Sequence, residues 1–391
     1  MKEGWEYKKL GEVADFYRGL TYGKSDEAES SNVRVLRSNN IDLQSMSLNL
    51  DEIKYLKPGF VIPEDKKLKG KSIFICMSNG SKQHVGKVAY IPDDMDYAFG
   101  GFMGLIVPKG VSAKYIYYVC CSSLYREFLS SIGNGIGITN LRFSDLNNFT
   151  FPISDLKQQQ NIVSELDLLS GVIEKQKAQL EELDRLAQSI FYDMFGDPVT
   201  NEKGWELRKL KELGQFGRGV SKHRPRNAPE LLGGSMPLIQ TGDVSNSGMY
   251  ITAYSSTYSE IGVAQSKVWL AGTLCITIAA NIGNCAILTF DACFPDSVVG
   301  FIANEKVALK EYVYYIFERM QSILEANAPA VAQKNINLKI LDELLIPLPP
   351  LSLQQEFAAK VEAIEAMKAK VRQSLKEAET LFNERMDYYF N

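Results

Sequence analysis

The feature that most constrains this chain of 391 residues is an internal sequence repeat that covers both halves. The stretch "GWEYKKLGEVADFYRG" begins at Gly4 and "GWELRKLKELGQFGRG" begins at Gly204, and nine of sixteen positions are identical. Later matches keep the same order, since "KYIYYV" at 114–119 pairs with "EYVYYI" at 311–316. This period is far longer than the roughly 20–50 residues of a solenoid repeat. The sequence therefore predicts two homologous halves of one architecture.

A long heptad pattern closes each half. Between Gln158 and Phe195 there is no proline, and apolar residues recur at alternating spacings of four and three. The first stripe contains Ile162, Leu166, Leu169, Ile173, Leu180 and Leu183, with Gln176 as a polar member. A weaker stripe in the same register contains Phe357, Val361, Ile364, Val371, Leu375 and Phe382. Such spacing is the seam of a coiled coil, so each half should end in a long helix.

The partner of each long helix is open at this point. If the halves are related by a pseudo-twofold axis, the two helices lie antiparallel and form a coiled coil with each other. The alternative is that each helix packs on the globular part of its own half. The length of the heptad pattern favours the first arrangement.

The rest of each half predicts a mixed domain. Short β-type runs such as "SIFICM" and "LCITIA" are punctuated by Gly, Asn, Ser and Pro, and each half has one tyrosine-rich helical stretch. We therefore expect an α+β chain with internal pseudo-twofold symmetry. Its predicted parts are a globular region at 1–150, a spacer helix at 151–196, a linker at 197–203, a second globular region at 204–345 and a second spacer helix at 346–391.

Polar loops between these elements carry side chains that can bind DNA. Arginine and lysine pair with guanine edges, asparagine and glutamine pair with adenine, and hydroxyl groups contact phosphates. The candidates in the first region are Arg18, Lys24, Arg37, Asn39, Asn40, Lys82, Gln83 and Arg142. The candidates in the second region are Arg218, Lys222, Arg224, Arg226, Gln240, Lys334 and Asn335. Taken singly, each of these residues fits an ordinary solvated loop better, and the matched polar loops in both halves make a binding role an equal alternative.

The net charge of −4 is compatible with DNA binding. The acidity is concentrated at residues 151–203, where 10 acidic residues stand against 5 basic ones. Attraction to phosphates depends on the local field, and the two globular regions are close to neutral.

The sequence shows no motif for a catalytic, nucleotide-binding or metal site. "RGLTYGKS" at 18–25 looks like a phosphate-binding loop, but Gly19 and Gly23 are one residue too close and the second half lacks the pattern. Two histidines and six unpaired cysteines without a C-x-x-C motif give no metal site. We expect no catalytic, metal or cofactor residues in this chain. No apolar run of 18 residues and no apolar signal segment occur, so we expect a cytoplasmic protein without a membrane contact.

Three stretches together carry a family resemblance. They are the repeated "GWE" openings, the junction "FGDPVTNEKGW" at 195–205 and the helix start "IPLPPLSLQQEF" at 346–357. In these stretches and in its alternation of globular and helical regions, nearly the whole chain resembles the specificity subunit of type I restriction-modification systems. The start of the first long helix departs from the family form, since it reads "FPISDLKQQQ".

This resemblance implies a function. Each globular region would be a target-recognition domain that reads one half of a split site in double-stranded DNA, and the helical pair would set the gap between the halves. The helices would also dock two methyltransferase subunits, and restriction subunits would join them. S-adenosylmethionine, ATP and Mg would belong to those partners and not to this chain.

Two other function classes remain at this point. One is a self-contained DNA methyltransferase or nuclease, which would need a methyl-donor or metal site that the sequence does not show. The other is a scaffold whose coiled coil only bridges other proteins. Sequence-selective DNA binding by the assembled complex separates the scaffold from a DNA reader.

Overall fold

The computed structural model describes residues 4–132, 139–279, 282–327 and 337–391. The predicted site residues Lys334 and Asn335 lie outside this range. The chain divides into two compact units. Unit 1 comprises Met1–Lys177 and Gln373–Asn391, and unit 2 comprises Ala178–Arg372.

Unit 1 contains eleven of the described strands. Their bounds are β1 Glu6–Lys9, β2 Ala14–Arg18, β3 Glu27–Ala28, β4 Val33–Leu36, β5 Lys54–Leu56, β6 Lys67–Leu68, β7 Ser72–Cys76, β8 Val88–Ile91, β9 Met95–Phe99, β10 Met103–Pro108 and β11 Thr150–Ile153. Its helices are α1 Leu10–Val13, α2 Ala113–Cys121, α3 Ser123–Ile132, α4 Phe143–Asn148 and the first part of α5 Leu156–Phe195. An antiparallel sheet has the order β2-β10-β7-β8, and a mixed sheet has the order β3-β5-β4-β9-β6.

Unit 2 repeats this plan. Its strands are β12 Glu206–Lys209, β13 Gly214–Arg218, β14 Leu232–Leu238, β15 Tyr250–Ile251, β16 Ser256–Tyr258, β17 Val268–Trp269, β18 Leu274–Thr277, β19 Cys285–Leu288, β20 Ala292–Cys293, β21 Val298–Ala303 and β22 Leu345–Leu348. Its helices are α6 Leu210–Leu213, α7 Thr241–Ser245, α8 Glu260–Ala264, α9 Lys310–Asn327, α10 Leu338–Asp342 and the first part of α11 Leu351–Phe390. The sheets are β13-β21-β18-β19-β15 and β16-β14-β20-β17.

The predicted α+β class and the two long helices are confirmed. Both long helices have 40 residues, and they begin at Leu156 and Leu351, five residues after the starts of the predicted spacer helices at 151 and 346. The first residues of both predicted segments instead belong to the strands β11 and β22. The tyrosine-rich stretch of unit 1 differs from the single predicted helix, because Ser122 interrupts it. The backbone of Ser122 is extended, and its hydroxyl donates to the Val119 carbonyl at 2.7 Å.

A buried glutamine fixes the start of each long helix. The Gln159 side chain accepts a hydrogen bond from the Ser112 amide at 2.9 Å and donates to the Ser154 carbonyl at 2.7 Å. In unit 2 the Gln354 side chain accepts from the Leu309 amide at 2.9 Å and donates to the Pro349 carbonyl at 2.9 Å. Burying an amide is favourable only when its polar atoms are bonded, so these contacts set where each helix leaves its sheet.

Within each unit the two long helices run antiparallel. In unit 1 the Glu165 carboxylate pairs with the Arg385 guanidinium, and the Gln176 amide donates to the Ser374 hydroxyl at 2.6 Å. In unit 2 the Asp184 carboxylate pairs with the buried ammonium of Lys368. As the residue number rises on one helix, it falls on the other.

Both sequence-based alternatives for these helices are partly realised. The outer ends pack on the globular cores, since Ile162 and Leu166 are buried in unit 1. In unit 2, Phe357, Val361 and Ile364 are buried with Phe191, which the predicted seam omits. The remaining seam residues are half-buried, and of these Leu183 and Phe382 pack against the globular cores. The others are Leu169, Ile173, Leu180, Val371 and Leu375.

Candidate nucleic-acid interface

Three segments of unit 1 meet at one end of its sheets. The Gly19 amide, just after β2, donates to the Met103 carbonyl at 3.1 Å, and the Gly100 amide donates to the Leu36 carbonyl at 2.9 Å. Gly19 is required here, because a Cβ atom would lie 2.1 Å from the Gly100 carbonyl oxygen. The strand ends β2 and β4 and the turn at 100–103 are therefore held in contact.

These segments enclose a cleft of about 900 Å³. It brings together four of the predicted residues, namely Arg18, Lys24, Arg37 and Asn39, and all four are exposed. Further lining residues are Thr21, Tyr22, Glu27, Ser38, Glu52, Ser78, Asn79 and Phe102. The cleft therefore combines three cations with hydroxyl, amide and carboxylate groups, which are the groups that contact phosphates and base edges.

The side chain of Asn40 supports this surface from below. It is fully buried, its oxygen accepts from the Arg37 amide at 2.8 Å, and its amide donates to the Asn49 and Glu52 carbonyls at 2.9 and 2.7 Å. Asn40 therefore holds the turn that carries Arg37 into the cleft, and its own polar atoms are occupied within the chain.

Tyr22 contributes a hydrogen-bond donor to the cleft. Burial raises the pKa of its phenol above the usual 10.0, although the Arg37 charge opposes this change. The hydroxyl group therefore stays protonated at neutral pH and can donate to a phosphate or a base.

Three predicted residues of unit 1 lie outside the cleft lining. Lys82 and Gln83 occupy an exposed turn that follows the lining residues Asn79 and Gly80. Arg142 is exposed at the start of α4, and its amide donates to the Asp145 carboxylate at 2.9 Å. The structure thus groups four candidates closely and leaves these three on adjoining segments.

Unit 2 builds the same framework from different residues. The Gly219 amide donates to the Val298 carbonyl at 2.9 Å, and a Cβ atom on Gly219 would lie 2.2 Å from the Phe294 carbonyl oxygen. The turn at 295–298 closes with a hydrogen bond from the Val298 amide to the Pro295 carbonyl at 3.0 Å. In unit 1 the Met103 amide donates to the Gly100 carbonyl at 2.8 Å in the same way.

Gln240 occupies the place in unit 2 that Arg37 occupies in unit 1. The Gln240 amide donates to the Asp243 carboxylate at 2.8 Å, as the Arg37 amide donates to Asn40. Both residues follow the end of a strand that runs parallel to its neighbour in the mixed sheet. Both side chains are exposed, so the two units present an arginine and a glutamine at equivalent points.

Three of the predicted basic residues of unit 2, Lys222, Arg224 and Arg226, lie on one anchored loop. The Gln265 side chain accepts from the Lys222 and His223 amides at 2.5 and 3.0 Å. The Arg226 guanidinium pairs with the Asp296 carboxylate at 2.6 Å. Lys222, Arg224 and Arg226 are exposed, whereas Arg218 is half-buried at the end of β13.

The residues of this surface that sequence reasoning missed include Phe102 and Asp296. Phe102 lies in the cleft of unit 1 with 70% of its surface exposed. Asp296 lies at the matching turn of unit 2 and engages Arg226. The only signal in the sequence is the turn-forming "GGF" and "PDS" after a phenylalanine in each half.

Within the described ranges, no group of three or more His, Cys, Asp or Glu residues could hold a metal ion. No helix in the part of the chain that the structure covers is long and apolar enough to cross a membrane.

Comparison with known proteins gives one consistent family. The model of the type I restriction modification DNA specificity domain matches this chain twice, at residues 2–185 and 202–379. The two matches correspond to the two copies of the internal repeat.

Individual relatives agree with this match. The type I restriction enzyme EcoKI specificity subunit of Escherichia coli K12 is 23% identical over 93% of this chain and 82% of its own length. The StySPI specificity subunit of Salmonella potsdam is 30% identical over 54% of this chain, and the match covers 46% of that subunit. The crystal structure of the S subunit of a type I system from M. genitalium shares the fold, with a TM-score of 0.62 at 15% identity over 99% of this chain and 96% of that chain.

Proposed function

The chain belongs to the type I restriction-modification DNA specificity family, and we propose that unit 1 and unit 2 each read one half of a split DNA site. One observation carries this proposal. Both units close a β-turn and hold it against the end of a strand through equivalent backbone hydrogen bonds, from Gly19 to Met103 and from Gly219 to Val298, while the exposed side chains differ. A shared framework with different side chains suits two readers of different short sequences.

The side chains of each surface match the two tasks of a DNA reader. Arg37 can form a bidentate pair with a guanine, and Gln240 can form one with an adenine. Lys24 and Lys222 are exposed cations on turns, and they suit phosphates, which fix register without reading sequence. Neither unit needs a large positive charge for this, because a few local cations are enough.

The helical pair offers a surface for partner subunits. One edge of the pair carries Lys177 and Glu379, which pair at 3.2 Å in unit 1. The heptad spacing places Val172 and Leu381 on the opposite edge in unit 1, and Leu186 and Met367 there in unit 2. These four apolar side chains are 37–46% exposed.

We propose that two apolar patches, Val172 with Leu381 in unit 1 and Leu186 with Met367 in unit 2, each dock one methyltransferase subunit. Val172 and Met367 are equivalent in the repeat, as are Leu186 and Leu381, so each unit contributes one member of each pair. A repeated surface suits two copies of one partner. Restriction subunits would join this complex, and S-adenosylmethionine, ATP and Mg would bind to the partners. Such a complex would act in the cytoplasm.

The experiment that tests the DNA-reading function is modified-base mapping. The chain is expressed with its partner methyltransferase in a host that lacks restriction-modification systems, and genomic methylation is compared with each protein expressed alone. We expect a split motif with methylated adenine only when both are present. Methylation by this chain alone would show an enzyme, and methylation of random sites by the pair would show a mere scaffold.

A further inference from the structure

We propose that Phe102 inserts its ring against the apolar surface of a DNA base in the half-site read by unit 1. This inference rests on the proposed function of the chain and extends it to a residue that sets specificity. The apolar surface of a base is either a thymine methyl group or an unstacked ring face, and both suit the same side chain.

The first support is the exposure of Phe102 inside a polar cleft. Its surface is 70% exposed, although the ring could have been buried in the adjacent core, as Phe99 is three residues earlier. Single exposed apolar residues are common on proteins. Phe102 differs from those because it shares the cleft with the cations of Arg18, Lys24 and Arg37.

The second support is the fixed backbone beneath the ring. The Phe102 carbonyl accepts hydrogen bonds from the Met77 and Ser78 amides at 2.9 and 3.1 Å. The Gly101 carbonyl accepts a hydrogen bond from the Arg18 guanidinium at 3.4 Å. An aromatic side chain on such a turn has only two rotatable bonds to order, so a contact with a ligand costs little conformational entropy.

The third support is the chemistry of DNA. An apolar ring makes no favourable interaction with a charged phosphate, whereas the cations of Arg18, Lys24 and Arg37 attract phosphates. When those cations engage the backbone, the exposed ring in the same cleft can reach the groove, where bases offer large apolar surfaces. The contact is therefore expected with a base and should depend on sequence.

The repeat indicates that this contact is particular to one half-site. The turn residue equivalent to Phe102 in unit 2 is Ser297, whose carbonyl accepts from the Ile278 amide at 3.0 Å, as the Phe102 carbonyl accepts from the Met77 amide at 2.9 Å. Ser297 is half-buried and polar, so it cannot make the same contact.

The test uses the complex of this chain with its methyltransferase and duplexes that carry the mapped split site. We compare wild type, Phe102→Ala, Phe102→Tyr and the control Val61→Ala, which removes an 83% exposed side chain outside the cleft lining. Phe102→Ala should weaken binding of the cognate duplex roughly 5- to 100-fold. Phe102→Tyr should restore most of the affinity, and Val61→Ala should bind as wild type does.

Base substitutions then locate the contact. Each position of the half-site read by unit 1 is changed in turn, and Phe102→Ala should lose discrimination at one position while discrimination in the other half-site is retained. If thymine-to-uracil substitution at that position reproduces the loss in wild type, the contact is with a methyl group. If 2-aminopurine beside that position brightens on binding of wild type but not of Phe102→Ala, the ring contacts an unstacked base.

Three outcomes would overturn the assignment of Phe102. They are unchanged binding by Phe102→Ala, an equal loss for cognate and unrelated duplexes, and a loss confined to the half-site read by unit 2. A failure of the proposed function looks different, because wild-type complex would then bind cognate and unrelated duplexes equally. Thermal melting of each variant shows whether the exposed substitution leaves the fold intact.

Discussion

The turn at 100–103 in unit 1 and the turn at 295–298 in unit 2 have the same backbone hydrogen bond and opposite side-chain chemistry. Unit 1 presents Gly100, Gly101 and an exposed Phe102, whereas unit 2 presents Pro295, Asp296 and Ser297. The main chain thus specifies where a side chain will stand, and only a few positions specify what it can contact. Divergence of one half can therefore change its target without disturbing the scaffold.

The loops beside these turns also differ between the units in how their arginine side chains are paired. Unit 1 leaves its cleft open between Arg18 and Arg37, and unit 2 ties Arg226 to Asp296 across its equivalent turn. An arginine paired with a carboxylate contributes less free positive charge to DNA than an unpaired one. We therefore expect unit 1 to depend more on phosphate contacts and unit 2 to depend more on hydrogen bonds to bases.

The largest expected effect comes from the glycine that each framework requires. Gly19→Val places atoms within about 2 Å of the Gly100 carbonyl and should destabilise unit 1 by roughly 3 kcal/mol or more. Gly219→Val should do the same in unit 2 because of Phe294. Denaturant unfolding measures the loss, and each variant should abolish recognition of its own half-site only.

The control for these variants is Gly80→Ala. Gly80 lines the same cleft, and a Cβ atom there would meet nothing within 4 Å. This variant should unfold as wild type does. If Gly80→Ala and Gly19→Ala were equally stable, close backbone contact would not be what holds the cleft together.

A smaller effect is expected from the charges between the long helices, and it should differ between the units. In unit 2 the ammonium of Lys368 is buried and pairs with the Glu365 carboxylate at 2.5 Å. Lys368→Met removes the close partner of that buried carboxylate, leaves it with Arg372 at 3.7 Å and also deprives Asp184 of its ion pair, so it should cost about 2–3 kcal/mol of unfolding free energy. Adding Glu365→Gln should recover part of the loss, and the exposed Lys370→Met is the matched control.

In unit 1 the corresponding cluster is more exposed, so its loss should be smaller. The hydrogen bond from Arg385 holds the pKa of Glu165 below the usual 4.5, and Tyr389 assists. Because the folded pKa is lowered, this stabilisation is complete above pH 4.5 and is lost as the pH falls through the folded value. Arg385→Met should cost about 1 kcal/mol or less at neutral pH.

The pH dependence of that difference is the check. Melting temperatures of wild type and Arg385→Met should converge as the pH is lowered below 4.5. A constant gap down to the acid limit would mean that packing of the arginine stem, and not its charge, stabilises the pair.

The smallest effect concerns salt. Lys24→Gln should lower the slope of log affinity against log salt concentration by about 1, and it should weaken binding to all sequences alike. Asn39→Ala, in the same cleft, should leave the salt slope unchanged. A change of base preference in Lys24→Gln would instead assign Lys24 to base reading.

The long helices could be predicted from sequence because their signal is local and periodic. The heptad spacing and a preceding proline indicate each helix, although both helices begin five residues after the starts of the predicted segments, at Leu156 and Leu351. The role of Gln159 and Gln354 could not be predicted, although both halves carry a glutamine run there. Each bonds to a segment about 45 residues away in sequence, and no local pattern encodes such a contact.

The candidate surface was harder to predict than the helices. Arg37 and Gln240 occupy equivalent places, but insertions shift the repeat and hide the correspondence in a simple alignment of the halves. Residue type also misleads, since Lys87 belongs to a basic loop and yet is buried, with its ammonium bonded to the Ile41 carbonyl at 2.6 Å. Exposure decides which side chains can reach DNA, and only the fold determines exposure.

The most direct test is a selection from a random duplex library by the methyltransferase complex, with wild type, Arg37→Gln and Gln240→Arg. We expect a split consensus for wild type and a change of about one base pair in each variant, with the two changes in opposite halves. If either variant altered both halves, or if both variants altered the same half, the claim that each unit reads its own half-site through equivalent positions would be contradicted.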